Sequence, residues 1–129
     1  MYLNDYFAKA EGTGILSTSD AEGNVNAAVY ATPHVIDEST VAFIMRPRRS
    51  LANVNANPKA AYLFMEKKPG HHGLRLYLEK IGQETDAKKV NLLRRSHHGG
   101  DESEAVLVYF KVTGIRPLVG DGQVWDDKK

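Results

Sequence analysis

The sequence predicts a mainly β domain: an antiparallel barrel of about six strands, interrupted by two or three short helices. Three observations carry that expectation. Short apolar or alternating runs recur along the chain, with turn-forming residues between them. The strand–helix–strand rhythm that builds a doubly wound parallel sheet is missing. No internal repeat, low-complexity tract or linker divides the 129 residues, a length that suits one domain over 1–129.

The elements follow in order. Leu3, Phe7 and Ala10 share one helical face, so Leu3 to Ala10 reads as a short helix that Gly12-Thr13-Gly14 brings to an end. Ile15 to Ser19 reads as a strand, and Asp20-Ala21-Glu22-Gly23-Asn24 carries the residues of a hairpin turn. A second strand runs from Val25 to about Ile36, with small residues alternating along it. Pro33 cannot donate to a ladder, so a bulge or a sheet edge is expected there. After the turn Asp37-Glu38-Ser39, Thr40 to Met45 is a short and almost wholly apolar strand that Pro47 stops. Ser50 to Asn57 reads as a helix with Leu51 and Val54 inward, limited by Pro58. Ala60 to Met65 and Leu74 to about Gln83 are further strands on either side of a Lys, Pro, Gly and His-rich connection. Ala87, Val90 and Leu93 fall at helical spacing, and Ala105 to Gly114 is the last strong strand, resuming at Ile115 to Val119.

Composition excludes several classes of function. A formal charge of +1 argues against a dedicated nucleic-acid binder. The absence of cysteine removes disulfides, thiolate metal sites and a Cys nucleophile, and fits a reducing compartment. Met1 to Tyr6 lacks a basic stretch followed by an apolar one, and no apolar run approaches the ~20 residues that span a bilayer. A cytoplasmic protein without membrane or nucleic-acid partners is therefore expected.

The most informative stretch is Arg46-Pro47-Arg48-Arg49-Ser50-Leu51-Ala52-Asn53-Val54, which leads from an apolar strand through a basic turn into a helix. With Ser50 as N-cap, its hydroxyl and the first amides of the helix would point out of the turn. Such an end carries partial positive charge and attracts phosphate, and arginine adds planar, bidentate donors. The alternative is a solvated basic turn. Cations at a helix start oppose the helix dipole, and that misfit favours the phosphate reading.

At these residues the chain resembles the FMN-binding split barrels related to pyridoxamine 5'-phosphate oxidase. Gly14-Ile15-Leu16-Ser17-Thr18 is similar to their first strand, and Asn26 to Pro33 to their small-residue second strand. Arg49-Ser50-Leu51-Ala52-Asn53-Val54 followed by Pro58 is similar to their basic-hydroxyl-x-x-Asn-hydrophobic helix start. The order of elements agrees over nearly the whole chain. The resemblance implies a homodimer with FMN at its interface. The phosphate would lie against Arg48, Arg49 and Ser50. Asn26, Ala27, Ala28, Val29, Tyr30, Met45 and Arg46 would flank the ring or ribityl chain. Small side chains at Ala27 and Ala28 would let a planar ring approach the backbone, although alternating small residues also simply fill barrels. Arg46 is the candidate for placing positive charge near the ring.

The chain is shorter than pyridoxamine 5'-phosphate oxidase and lacks that enzyme's C-terminal Arg/His signature, which puts that particular activity in doubt. The implied function is an FMN-dependent oxidoreductase, or a flavoprotein electron carrier, acting on a small redox substrate or partner. The alternatives are a non-catalytic flavin or haem sensor module and an F420-dependent reductase on the same fold. Trp125, the one tryptophan, is placed either against the flavin or in dimer packing. His71-His72 and His97-His98 sit beside glycines and read as loops rather than metal ligands. No Ser/His/Asp arrangement or paired carboxylates can be assigned as catalytic. A flavin, however, supplies the hydride chemistry itself.

Overall fold

The computed structural model describes residues 3–85, 105–120 and 122. Helix α1 (Leu3–Lys9) is followed by β1 (Gly12–Ser19), β2 (Val25–Val29), β3 (His34–Asp37) and β4 (Thr40–Met45). Helix α2 (Arg49–Ala56) then precedes β5 (Lys59–Glu66), β6 (Gly73–Glu84) and β7 (Val106–Pro117). Among the described residues these strands form one sheet in the order β2-β1-β5-β6-β7-β4-β3, and every pairing is antiparallel. No helix among them is long and apolar enough to cross a membrane.

Alternation along the strands puts one face of this sheet inside. Leu16 of β1, Tyr62 and Phe64 of β5, Leu74, Leu76 and Leu78 of β6, and Val108 and Phe110 of β7 are buried in one cluster. Val41, Phe43 and Met45 of β4 join it. The rings meet mostly edge to face: Phe43 lies 5.0 Å from Tyr62 and 6.0 Å from Phe110, and Phe7 lies 5.6 Å from Phe64, centroid to centroid. Strands β4 and β5 are not neighbours in the sheet, so the Phe43–Tyr62 contact crosses its interior. The sheet is curled round on itself. Strand β4 is apolar on both faces because its other side is also buried, through Ala42 packed with Ala105 and Leu107.

The expected second strand from Val25 to Ile36 is two strands, which raises the count from about six to seven. The chain leaves β1 at Tyr30, whose N–H still donates to the Gly14 carbonyl at 2.9 Å. It then pairs with β4 from His34 onward. β2 and β3 are thus the two edges of the sheet, covalently joined through residues 30–33 but not hydrogen-bonded to each other. This is the split in the barrel, and Pro33, with no N–H to offer, lies within it. The Tyr62 hydroxyl donates to the carbonyls of Tyr30 and Ala31, at 3.2 and 3.0 Å, where the ladder is interrupted.

Gly12-Thr13-Gly14, expected to close the first helix, opens β1 instead. Both glycines answer to close neighbours. A Cβ at Gly12 would overlap the Met65 carbonyl, and one at Gly14 would overlap the Tyr62 hydroxyl. Helix α1 ends at Lys9, with Leu3 and Phe7 buried and Ala10 packed just beyond. The expected third helix around Ala87 to Arg95 lies outside the described residues.

Candidate functional site

Pro47 ends β4, and the chain turns sharply: the Arg48 N–H donates to the Arg46 carbonyl at 2.7 Å. Arg48 then takes an extended conformation (φ −126°, ψ −164°) as the N-cap of α2, and its carbonyl accepts from the Ala52 N–H at 3.0 Å. The N-cap therefore lies two residues before Ser50, where the hydroxyl was expected to cap. Arginine has no acceptor oxygen, and α2 receives no side-chain cap. Its first turn also contains no acidic residue. An uncapped helix start with exposed Arg48 and Arg49 beside it concentrates positive potential. Neither arginine has an ion-pair partner among the described residues.

Ser50, the second residue of α2, is only 5% exposed. Its Oγ accepts a long 3.4 Å hydrogen bond from the Asn26 Nδ2, which ties the helix start to β2. One turn on, the buried Asn53 donates from Nδ2 to Thr18 Oγ1 of β1 at 3.0 Å. Leu51 and Val54 enter the core, so α2 is held by an apolar contact and two polar ties. Each tie pairs groups whose burial alone would be costly.

Tyr30 completes the group. Its ring packs edge to face on Phe43 at 5.8 Å, and its phenol lies within the influence of Ser50 and Arg48. Burial raises the phenol above its ordinary range, while Ser50 and the Arg48 charge act the other way. The phenol keeps its proton at neutral pH. Asn26, Tyr30, Arg48 and Ser50, spread over 25 positions of sequence, thus meet at one corner, with Arg49 beside them.

The other expected residues fall around this corner in different ways. Asn26 and Ala28 are half-buried on one face of β2, whereas Val25, Ala27 and Val29 point outward. Val25 and Val29 are 80% and 75% exposed. Arg46 is half-buried at the end of β4. Met45 is fully buried in the core, which leaves only its backbone to face a ligand. Trp125 and the His97-His98 pair lie outside the described residues, while His71 and His72 are exposed in the connection between β5 and β6. The Thr18–Asn53 tie was not anticipated. Its one signal in the sequence is a polar residue at 53 on the same helical face as Ser50 and Val54.

A corner with exposed guanidinium groups, an uncapped helix start and a protonated phenol suits a phosphate-sized anion. Among the described residues it brings together no nucleophile–base pair. Beside it, the small residues of β2 leave the backbone open to a flat group. These features fit FMN, whose phosphate and ring need such neighbours.

No protein-family model matches the sequence, and no curated protein does. Solved structures do match. An FMN-binding protein from Syntrophomonas wolfei subsp. wolfei superposes with a TM-score of 0.75 at 18% identity, over 90% of this chain and 83% of that one. A candidate pyridoxamine 5'-phosphate oxidase from Lactobacillus delbrueckii gives 0.66 at 20% identity, over 85% and 87% of the two chains. An F420 reductase gives 0.63 at 19% identity, over 86% and 94%. The seven-stranded sheet, broken between β2 and β3, has the split-barrel fold shared by FMN-binding and pyridoxamine 5'-phosphate oxidase-like proteins.

Proposed function

We propose that the protein binds FMN and works as a flavoprotein, either an oxidoreductase or an electron carrier. The observation that carries this reading is the convergence of Asn26, Tyr30, Arg48 and Ser50 on an uncapped helix start in a fold that FMN-binding proteins share. Arg48 and Arg49 hold the phosphate with charge-assisted hydrogen bonds, and the first amides of α2 add their dipoles. Ala27 and Ala28 of β2 would leave room beside the backbone for the ring. Arg46, half-buried at the end of β4, favours negative charge in that groove. The bound flavin supplies the hydride or electron transfer, while the protein binds it, orients it and limits access of water.

The outward valines of β2 pair two copies of the chain. An edge strand with an apolar outer face is unusual in a lone monomer, and a second copy would cover it. The working unit is then a homodimer that passes electrons between small-molecule or protein partners in the cytoplasm.

Titration of the protein with FMN, followed by flavin absorbance and fluorescence, tests the reading. One FMN per chain is expected. Arg48→Ala combined with Arg49→Ala should weaken binding on the order of tenfold to a hundredfold, with the melting temperature unchanged. Unaltered affinity in that variant would remove the phosphate cradle. Preference for F420 or haem over FMN would keep the fold and replace the cofactor. Turnover of a reduced nicotinamide with oxygen or a quinone separates an enzyme from a carrier.

A further inference from the structure

Helix α2 is two turns long, with no side-chain cap, no acid in its first turn and no base in its last. A helix that short is marginal by itself, so its place depends on what it touches. Leu51 and Val54 supply apolar contact, which is not directional and lets a helix slide or roll. Direction comes from four polar side chains. Ser50 and Asn53 stand one turn apart on the same face of α2. Thr18 and Asn26 stand directly opposite each other on the β1–β2 ladder. Asn53 Nδ2 donates to Thr18 Oγ1 at 3.0 Å, and Asn26 Nδ2 donates to Ser50 Oγ at 3.4 Å. Two residues of the helix thus bond the two residues of one strand rung. A single bond would be a pivot, whereas two fix the roll of the helix about its axis as well as its position.

Thr18, Ser50 and Asn53 are only 4%, 5% and 6% exposed. Water cannot replace a lost partner there, so each bond is kept or an unpaired polar group is left in the core. An apolar pair of the same volume would hold α2 about as firmly. What the polar pairs add is a single arrangement rather than stability. The fixed end is Thr18, since β1 is hydrogen-bonded on both sides, to β2 and to β5. The positioned end is the uncapped first turn, where Arg48 and Arg49 precede Ser50. We infer, on the flavin-binding reading, that Thr18 and Asn53 are positioning residues for the phosphate. They touch no ligand, and they hold the start of α2 and its two arginines at the angle that the phosphate requires. Asn26 and Ser50 close the same clasp at its open end.

The test sets the FMN and riboflavin affinities of full-length variants beside their urea midpoints. Thr18→Val with Asn53→Leu removes both partners at once and leaves neither of them buried and unpaired, so the midpoint should stay near that of the wild type. Its FMN affinity should fall on the order of tenfold, with riboflavin affinity unchanged, because riboflavin has no phosphate. Side chains that only supported the fold would move the midpoint and treat the two flavins alike. Thr18→Ser, which keeps the hydroxyl, should bind FMN as the wild type does, and Thr18→Val alone should not. That pair of single variants carries the test if the double variant does not fold. A folded double variant with unaltered FMN affinity would overturn the inference. Equal losses of FMN and riboflavin would overturn it too, since the clasp would then shape the whole groove. If the wild type binds neither flavin, the flavoprotein reading falls and takes the positioning role with it, a result seen before any variant is compared.

Discussion

Two regions of this barrel obey different rules. In the wall formed by β5, β6 and β7, inward residues are large and apolar, and outward residues are mostly polar or half-covered. Every strand there has a neighbour on each side. In the corner formed by β2 and the start of α2, the strand is a sheet edge and its outward residues are valine, alanine and valine. Its inward residues include Asn26, the helix lacks a cap, and arginine stands where the dipole favours an acid. Local consistency is what makes a sequence fold, and functional sites are where it is given up. The contrast teaches that the wall holds the fold and the corner is held by it.

The largest expected effect separates the two directly. Phe110 of β7 is fully buried against Phe43. Phe110→Ala should destabilise the chain by about 3–5 kcal/mol, measured by urea unfolding, because both the burial and the cavity count against it. Val29 is 75% exposed. Val29→Asp should leave stability within about 0.5 kcal/mol if the monomer stands alone. In the proposed homodimer it should also shift dimer to monomer in analytical ultracentrifugation, since the charge would be buried between the two copies. A Val29→Asp protein that unfolds as readily as Phe110→Ala would erase the distinction between wall and corner.

A second comparison uses two glycines and expects a smaller change. A Cβ at Gly14 would overlap the Tyr62 hydroxyl and come within 2.7 Å of the Tyr30 carbonyl, the atoms that bridge the split. At Gly82, on β6, nothing lies within 4 Å. Gly14→Ala should cost about 1–3 kcal/mol by overpacking and disturb Tyr30, which weakens FMN binding as well. Gly82→Ala should be close to neutral in both assays. Equal melting temperatures for the two variants would show that Tyr62 can leave the split without loss.

The same contrast governs what could be read in advance. Thr40–Met45 was legible to the residue, because an almost wholly apolar run between a turn and Pro47 depends on nothing distant. The inward Leu51 and Val54 were legible from helical period alone. The division of Val25 to Ile36 into two strands was not, because it records a change of partner from β1 to β4, which no local pattern reports. Gly12 and Gly14 read as a helix stop, since glycine commonly ends helices. Their reason for being there is Met65 and Tyr62, about 50 positions away. At the site, the basic turn and the helix start were visible as a run of neighbours. Preference rules put the cap on the hydroxyl of Ser50, but that hydroxyl is buried against Asn26 and the N-cap is Arg48. The approach of Tyr30 to Ser50 across the barrel had no local signature at all.

The smallest effect lies away from both regions and sharpens the comparison by showing what an ordinary polar tie contributes. The Tyr6 hydroxyl of α1 donates to Glu66 Oε2 at the end of β5 at 2.5 Å, and Lys68 lies 3.2 Å from the other carboxylate oxygen. The Tyr6 bond, helped by Lys68, holds the Glu66 carboxyl below its usual range. A carboxylate with a depressed folded value contributes stability above its unfolded value of about 4.3, and that contribution is lost as the pH falls through the folded value. Tyr6→Phe removes the bond and retains the ring contacts with Phe7 and Phe64. Wild type should therefore be more stable than Tyr6→Phe at pH 7, and the two urea midpoints should converge in acid below the ordinary carboxylate range. FMN affinity should be equal in both, because this tie fastens α1 to the wall and does not touch the corner. A gap that persists unchanged into strong acid would mean that the phenol stabilises the helix by packing, not through the carboxylate.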